Sequence, residues 1–174
     1  MLITGALHED GLADAADGFG GGSTPERVLE IMKDSRVGSY GVVALILAIF
    51  LKLASLASLT RGEIVVALIA GHTLARWSSV LLLYRYSYVG TKGGAFAGGV
   101  TTLRLAIATT LAFAICALAL QRRALIPVLA SIVVTAAAGV FFKRRIGGVT
   151  GDCLGATNQL VELAVYLALS VTVS

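Results

Sequence analysis

Five long runs of apolar residues constrain this chain more than any other feature of its sequence. A helix needs about 20 residues to cross a bilayer, and only helices satisfy all backbone hydrogen bonds within one open segment in lipid. The runs, of which the last is the shortest, are residues 42–60, 63–84, 101–120, 124–142 and 160–173. Only 14% of the 174 residues are charged, against about 25% in an ordinary globular domain. The pattern predicts an all-α, polytopic membrane bundle of about five spans.

The distribution of basic residues predicts how this bundle is oriented. Alternate threading puts the long polar regions on one side, here called side A, and the short connections around Arg61 and residues 121–123 on side B. The side A regions are residues 7–41, 85–99 and 143–159. Side A carries eight Lys and Arg residues and side B carries three. Basic residues accumulate on the cytoplasmic side, so we expect a cytoplasmic (inner) membrane protein whose active side A is cytoplasmic. The net charge of +4 then reflects topology, and we expect no nucleic-acid partner.

We expect residues 1–174 to form a single membrane domain. Residues 1–41 would form an acidic and glycine-rich region on side A, and residues 42–174 the transmembrane bundle with its motif loops. Residues 1–7 are interpreted as the stub of a helix. Residues 23–36, STPERVLEIMKDSR, begin with capping residues and a proline, which predicts a short helix along the membrane surface.

Four of the chain's ten acidic residues lie together in the segment LHEDGLADAADGF, residues 7–19. If this segment ends a helix, Asp10, Asp14 and Asp17 share one face, and His8 lies nearly opposite Asp10. Like charges at this spacing destabilise a helix, and a cation would relieve the conflict; oxygen ligands suit Mg²⁺ or Mn²⁺. The alternative is a solvated acidic helix end. The glycines around these acids are expected to interrupt the helix.

Two further motifs carry charged or polar groups on side A. The first is GGVTGDCLGATNQ, residues 147–159, and the second is MKDSRVGSYG, residues 32–41. Their candidate site residues are Gly148, Thr150, Gly151, Asp152 and Asn158 in the first, and Lys33, Asp34 and Arg36 in the second. Arginine binds phosphate oxygens well. The alternatives are a glycine-rich turn that enters a tightly packed helix and a surface loop with a local Asp–Arg pair.

Several charged residues fall within the apolar runs, where charge is expensive and usually functional or paired. His72 and Arg76 share one helix face. They are interpreted either as a substrate contact or as a structural polar pair. Lys52 is expected to pair with an acid on another helix. Glu162 could reach the metal site or pack against a cation.

Carboxylates for a divalent cation, with Arg and Lys for phosphates, are typical of phosphoryl or nucleotidyl transfer. One alternative is another Mg²⁺-dependent membrane phosphotransferase, of the CDP-alcohol type, but the Asp-Gly-x-x-Ala-Arg core of that type is not matched. A second alternative is a cation transporter, which would want acids deep within the spans, where this chain has almost none.

The three motifs resemble those of the cobalamin synthase (adenosylcobinamide-GDP ribazoletransferase) family. HEDGLADAADG matches its His-x-Asp-Gly-Leu-Ala-Asp-x-x-Asp-Gly hallmark, MKDSRVG its Met-x-Asp-Ser-Arg-x-Gly element, and GGVTGDCLGA its Gly-Gly-x-Thr-Gly-Asp-x-Leu-Gly-Ala element. Order and spacing agree over essentially the whole chain. Family members normally extend further upstream, so the resemblance implies a chain that lacks the N-terminal part.

The resemblance implies a reaction in which adenosylcobinamide-GDP and α-ribazole, or its 5′-phosphate, yield adenosylcobalamin, or its 5′-phosphate, and GMP. Mg²⁺ is the implied cofactor, and the lipid bilayer is the implied surroundings. Association as a homo-oligomer, or with other cobalamin-assembly enzymes, is a further expectation. The predicted Mg²⁺ ligands are Asp10, Asp14 and Asp17, and the candidate bases are Asp152 and Asp34. The candidate substrate-binding residues are His8, Lys33, Arg36, Arg76, Gly148, Thr150, Gly151 and Asn158.

Overall fold

The computed structural model describes residues 5–90 and 99–172, and these residues form seven α-helices. The helices are α1 (Leu7–Gly21), α2 (Pro25–Ile31), α3 (Ser39–Ala57), α4 (Arg61–Arg85), α5 (Thr102–Leu120), α6 (Leu125–Ile146) and α7 (Gly151–Thr172). A short 3₁₀ turn, Gln121–Ala124, joins α5 to α6. The β-structure in the described ranges is one isolated bridge between Tyr88 and Val149. The all-α prediction is confirmed.

Four helical stretches in the described part of the chain are long and apolar enough to cross a membrane. They are Ser39–Ala57, Arg61–Arg85, Thr102–Ile146 and Gly151–Val171. The sequence predicts five spans, and the two counts differ because the 3₁₀ turn makes α5 and α6 one continuous stretch of 45 residues. The apolar helices make the chain a multi-pass membrane protein.

Contacts with α4 show that α5 and α6 form a hairpin rather than one long rod. Gln121 has φ 52 and ψ −124, which breaks the helical path. The start of α5 lies at the end of α4, where the hydroxyls of Tyr84 and Thr102 are 3.4 Å apart. The turn lies at the start of α4, where Arg123 and Glu63 form an ion pair of 2.7 Å. The 45-residue stretch therefore reverses at Gln121, and each arm is about long enough to span.

The polar segments meet at one end of the bundle, which corresponds to side A. The segment after α4 pairs with the segment before α7, since Val149 donates to the carbonyl of Ser87 (3.0 Å) and Val89 donates to the carbonyl of Val149 (2.7 Å). At the same end, Arg145 of α6 donates to the carbonyl oxygen of Gly22, beyond α1, at 2.9 Å. Residues 91–98 of the predicted second polar region lie outside the described residues, as do residues 1–4 of the predicted stub.

Helix α7 is the centre of the bundle and packs against α1, α3, α4 and α6. Its membrane-spanning window is 61% buried, against 17% for α3. One half of the core surrounds Val149 and Cys153, and the other surrounds Leu74 and Val161. Polar groups on the buried faces of α7 are therefore enclosed by several helices.

Two sequence-based boundaries were wrong. The last span was expected to begin at residue 160, but α7 begins at Gly151 because Thr150 caps it: the Cys153 amide donates to Thr150 Oγ1 at 3.2 Å. The glycines of α1 were expected to interrupt that helix, yet α1 continues through Gly11 and Gly18 to Gly21. The predicted surface helix is α2, and its predicted cap is confirmed, since Thr24 accepts from the Arg27 amide.

Candidate active site

Carboxylates from α1 and α7 approach one another near side A. Asp10 is exposed, while Asp14 and Asp152 are partly buried. Burial, and then repulsion by Asp10, Asp152 and Asp17, raises the pKa of Asp14 from 3.8 to about 6. Asp152 from the other end of the sequence thus joins the predicted acidic stripe, which concentrates negative charge at one place.

A glycine contact brings the two helices this close. A Cβ atom on Gly11 would lie 3.1 Å from the Gly155 Cα and 3.1 Å from the Asp152 carbonyl oxygen. A Cβ atom on Gly155 would in turn lie 3.3 Å from the His8 carbonyl oxygen. Small residues allow such close packing of membrane helices. Because Gly11 lies between the aspartates of α1, the contact sets those aspartates beside Asp152.

Asp17 caps helix α3. Its Oδ2 accepts from the Gly38 amide at 2.6 Å, and its Oδ1 accepts from the Gly41 amide at 2.9 Å. The residue is 8% exposed, and a Cβ on Gly38 would lie 2.5 Å from Oδ1. Both carboxylate oxygens therefore satisfy otherwise unpaired amides at a helix start. Its role as a metal ligand stays a prediction.

The predicted set of three aspartates does not form a ready metal site. Within residues 5–90 and 99–172, no group of three or more His, Cys, Asp or Glu side chains is arranged to hold a metal ion. The donor chemistry nevertheless fits a divalent cation, because mutual repulsion around Asp14 is what a cation would relieve. Mg²⁺ requires only one or two carboxylates when water and phosphates complete its shell.

The loop before α3 holds a local Asp–Arg pair. Arg36 donates to Asp34 through Nη2 at 2.6 Å and through Nε at 3.0 Å. These hydrogen bonds lower the pKa of Asp34 to about 2, which makes Asp34 a weak base at neutral pH. Arg36 is largely exposed, and together with Asp17 and Arg27 the pair lines a cavity of about 430 Å³. Lys33 is exposed. The phosphate-binding roles of Arg36 and Lys33 stay predictions.

The glycine-rich motif before α7 has an evident structural role. A Cβ atom on Gly148 would collide with the Ser87 carbonyl oxygen, so only glycine permits the pairing of these two segments. Thr150 is buried and caps α7, while Gly151 is exposed in its first turn. Gly148 and Thr150 hold the α7 N-terminus in place, and the substrate contacts of all three residues stay predictions.

A second polar group lies deeper in the bundle and is here called the Glu162 cluster. Glu162 is 5% exposed and forms ion pairs with Lys52 of α3 at 2.7 Å and with Arg76 of α4 at 2.9 Å. His72 Nδ1 lies 3.6 Å from the same carboxylate. Lys52 also donates to Gln159 at 2.6 Å. The prediction that Lys52 pairs with an acid on another helix is confirmed.

Asn158 belongs to this cluster rather than to the acidic site. Its amide nitrogen donates to Ser79 Oγ at 2.6 Å and to the Leu154 carbonyl oxygen at 2.8 Å, while its oxygen accepts from Arg76 at 3.1 Å. The charge of Arg76 also acts on His8, since burial and then this charge lower the pKa of His8. Sequence reasoning missed the cluster as a unit. The available signal was the charge within three separate apolar runs, which burial forces to pair.

The apolar helices and the convergent carboxylates define a polytopic membrane protein with an acidic site near one end of its bundle. The family described as Cobalamin-5-phosphate synthase matches residues 1–170. The chain belongs to this family, and the resemblance carried by the three motifs is confirmed.

Curated relatives agree with the family match. An adenosylcobinamide-GDP ribazoletransferase of Shewanella piezotolerans is 42% identical over 179 residues, which cover 97% of this chain and 68% of the relative. The protein of the same name from Polaromonas naphthalenivorans is 42% identical over 196 residues, which cover 99% of this chain and 70% of the relative. That of Ralstonia pickettii is 40% identical over 186 residues, which cover 97% and 68%. No solved structure matches the chain. The phosphotransferase and transporter alternatives are not favoured.

Proposed function

We propose that this chain transfers the adenosylcobinamide phosphate group of adenosylcobinamide-GDP to α-ribazole or α-ribazole 5′-phosphate. GMP is released, and adenosylcobalamin or its 5′-phosphate is formed. The observation that carries this proposal is the meeting of Asp10 and Asp14 with Asp152 at the glycine contact between α1 and α7. The names of the related enzymes supply the substrates.

The residues divide the chemistry among them. Asp10 and Asp14 would hold Mg²⁺, which when bound neutralises charge on the diphosphate. Asp152 accepts the proton of the attacking hydroxyl group. That oxygen then forms a bond to the phosphorus that carries the corrinoid, and the bond from this phosphorus to GMP breaks. Asp34, held by Arg36, is less suited to act as base.

The proposed location of the active site at the membrane follows from the same arrangement of polar motifs. The polar motifs lie at the end of the bundle with more basic residues, which favours a cytoplasmic active face at the inner membrane. Arg36 is exposed and lines the cavity described above. It can bind a phosphate of the nucleotide if hydrogen bonds to the phosphate replace its hydrogen bonds to Asp34. We also propose that the chain forms a homo-oligomer or a complex with other enzymes of the same pathway.

The test is a transfer assay with membranes that contain the chain. Adenosylcobinamide-GDP, an acceptor and Mg²⁺ are added, and GMP and the cobalamin product are measured by chromatography. We expect Asp152→Asn to lower the rate by about 10²–10⁴-fold, as loss of a general base does. Glu26→Gln, at an exposed acid of α2, is the matched control and should keep the rate. Absence of GMP and product from well-inserted protein would refute the proposal.

A further inference from the structure

The side chains that the structure describes do not neutralise the charges of the Glu162 cluster. Two cations, Lys52 and Arg76, share the single carboxylate of Glu162, and ion pairs of either cation with another acid are absent from the described residues. The residues outside the described ranges contain no Asp or Glu, so no side-chain carboxylate there can complete the cluster. One positive charge therefore remains among Lys52, Arg76 and Glu162, within the apolar part of the bundle, where unpaired charge is expensive. An anion bound beside these two cations would neutralise that charge.

Arg76 is the cation that an incoming anion can reach. Its side chain is 44% exposed, whereas that of Lys52 is 15% exposed. Only Nη1 of Arg76 has hydrogen-bond partners in the described part of the chain, namely Asn158 and Glu162. The Nε and Nη2 donors remain for a ligand. Because both ends of the Asn158 amide are engaged, Asn158 holds the guanidinium group in a fixed orientation.

The free side of Arg76 opens onto a cavity of about 410 Å³ between α4 and α5. His72 and Trp77 line this cavity beside Arg76, and its α5 wall is apolar, with Leu111 and Ile115. A cationic fork beside an apolar and aromatic wall fits a ligand that carries both an anionic group and an aromatic ring system.

We propose that Arg76 and His72 bind the phosphate monoester of the acceptor, α-ribazole 5′-phosphate, with its aromatic base against the cavity wall. Asn158, which holds Arg76, lies six residues after Asp152 on α7, or about 9 Å at 1.5 Å per residue. The reacting diphosphate must lie at Asp10, Asp14 and Asp152. A phosphate bound at Arg76 is therefore a different phosphate group. Adenosylcobinamide-GDP has no phosphate besides its diphosphate, whereas the acceptor nucleotide has one. This inference rests on the proposed function.

Trp77 makes the site directly observable, because it is the only tryptophan of the chain. Its fluorescence is titrated in detergent, with EDTA in place of Mg²⁺ so that no transfer occurs. The probes are inorganic phosphate, α-ribazole 5′-phosphate and α-ribazole, which lacks the phosphate. We expect saturable changes with the nucleotide and with phosphate, and at least about tenfold weaker binding of α-ribazole than of the nucleotide.

Variants assign this binding to the arginine. Arg76→Gln should weaken binding of α-ribazole 5′-phosphate by about 10–100-fold, the loss expected for charged hydrogen bonds. Arg76→Lys keeps the ion pair with Glu162 and therefore the fold. It lacks the forked guanidinium group, so its affinity for α-ribazole 5′-phosphate should be several-fold lower. Arg104→Gln, at another span arginine on α5, should bind as the unaltered chain does. The inference would be overturned if Arg76→Lys and Arg76→Gln both bound α-ribazole 5′-phosphate as tightly as the unaltered chain does. It would also be overturned if α-ribazole and α-ribazole 5′-phosphate bound equally well.

A kinetic measurement separates this inference from the proposed function. In the transfer assay, Arg76→Lys should raise the KM for α-ribazole 5′-phosphate and leave the KM for adenosylcobinamide-GDP unchanged. A raised KM for the donor instead would place the donor's diphosphate at Arg76 and overturn the inference while transfer persists. Arg76-dependent phosphate binding without any transfer would refute the function and support an anion site.

Discussion

Replacing Asp14 with Asn should stabilise the protein and inactivate it. Asp14 is partly buried among Asp10, Asp152 and Asp17, and its pKa is raised from 3.8 to about 6. At neutral pH the folded chain therefore carries a carboxylate that it would hold more easily as the protonated acid. The amide of Asn has a similar shape and no charge, so Asp14→Asn removes the repulsion together with the proposed Mg²⁺ ligand.

The magnitude follows from the shift in pKa. A change from 3.8 to about 6 corresponds to about 3 kcal/mol. Because Asp14 is partly exposed, solvent screening reduces the free energy, and we expect a gain of about 1–2 kcal/mol. For a chain of this size that gain is a rise in Tm of about 3–6 °C.

The raised pKa of Asp14 also predicts how the stabilisation by Asp14→Asn depends on pH. Since the pKa of Asp14 is higher in the folded state than in the unfolded chain, the penalty is absent below about pH 3.8. It grows as the pH rises between the two values, because the unfolded chain ionises first, and it is complete above about pH 6 to 7. The advantage of Asp14→Asn should therefore be largest at pH 7.5 and about half as large at pH 5.

The assay is thermal unfolding in detergent with EDTA, followed by circular dichroism at both pH values. Added Mg²⁺ should then raise the Tm of the unaltered chain and leave that of Asp14→Asn nearly unchanged. Glu26→Gln serves again as the control, with no Tm change at either pH. A lower Tm for Asp14→Asn than for the unaltered chain at pH 7.5 in EDTA would refute the electrostatic reasoning.

Three other substitutions test the packing and the two polar sites. Gly155→Val would place a side chain against Gly11, so it should cost about 1–3 kcal/mol and lower the transfer rate, measured by unfolding and by GMP release. Asp17→Ala removes the cap of α3 and should lower the free energy of unfolding by about 1–3 kcal/mol, equally with Mg²⁺ and with EDTA. Glu162→Gln leaves Lys52 and Arg76 without their shared carboxylate and should cost about 3–5 kcal/mol; Lys52→Met in the same chain should recover part of this in unfolding experiments.

The helix positions and the acidic stripe were predictable because they follow local periodicity. Apolar runs of about 20 residues have one solution in lipid, and the i, i+4 spacing of Asp10 and Asp14 sets their common face. The role of Asp17 was not predictable from the same spacing. Its partners, Gly38 and Gly41, are 21 and 24 residues away, and no local pattern distinguishes a ligand carboxylate from one that caps another helix.

The start of α7 was missed for a different physical reason. Hydropathy assigns polar residues to loops, and Asn158 and Gln159 made the first turns of this helix resemble one. In the folded chain these groups are satisfied by Lys52 and Arg76 from two other helices. Such pairing is a property of the assembled bundle, so a scale applied to one segment at a time cannot detect it.

The glycine contact between α1 and α7 connects the two polar sites. On α1, His8 lies within range of the charges of Arg76 and Glu162 while Asp14 lies within range of that of Asp152, and Gly11 lies between them where α1 approaches Gly155. Because this contact is made at the level of the backbone, α1 and α7 lie close enough for their polar residues to meet. Gly11 and Gly155 therefore act by permitting this close approach of two helices, rather than by making flexible loops. A phosphate at Arg76 and a hydroxyl group at Asp152 would be held at one fixed separation, which is what an acceptor nucleotide bound at both ends requires.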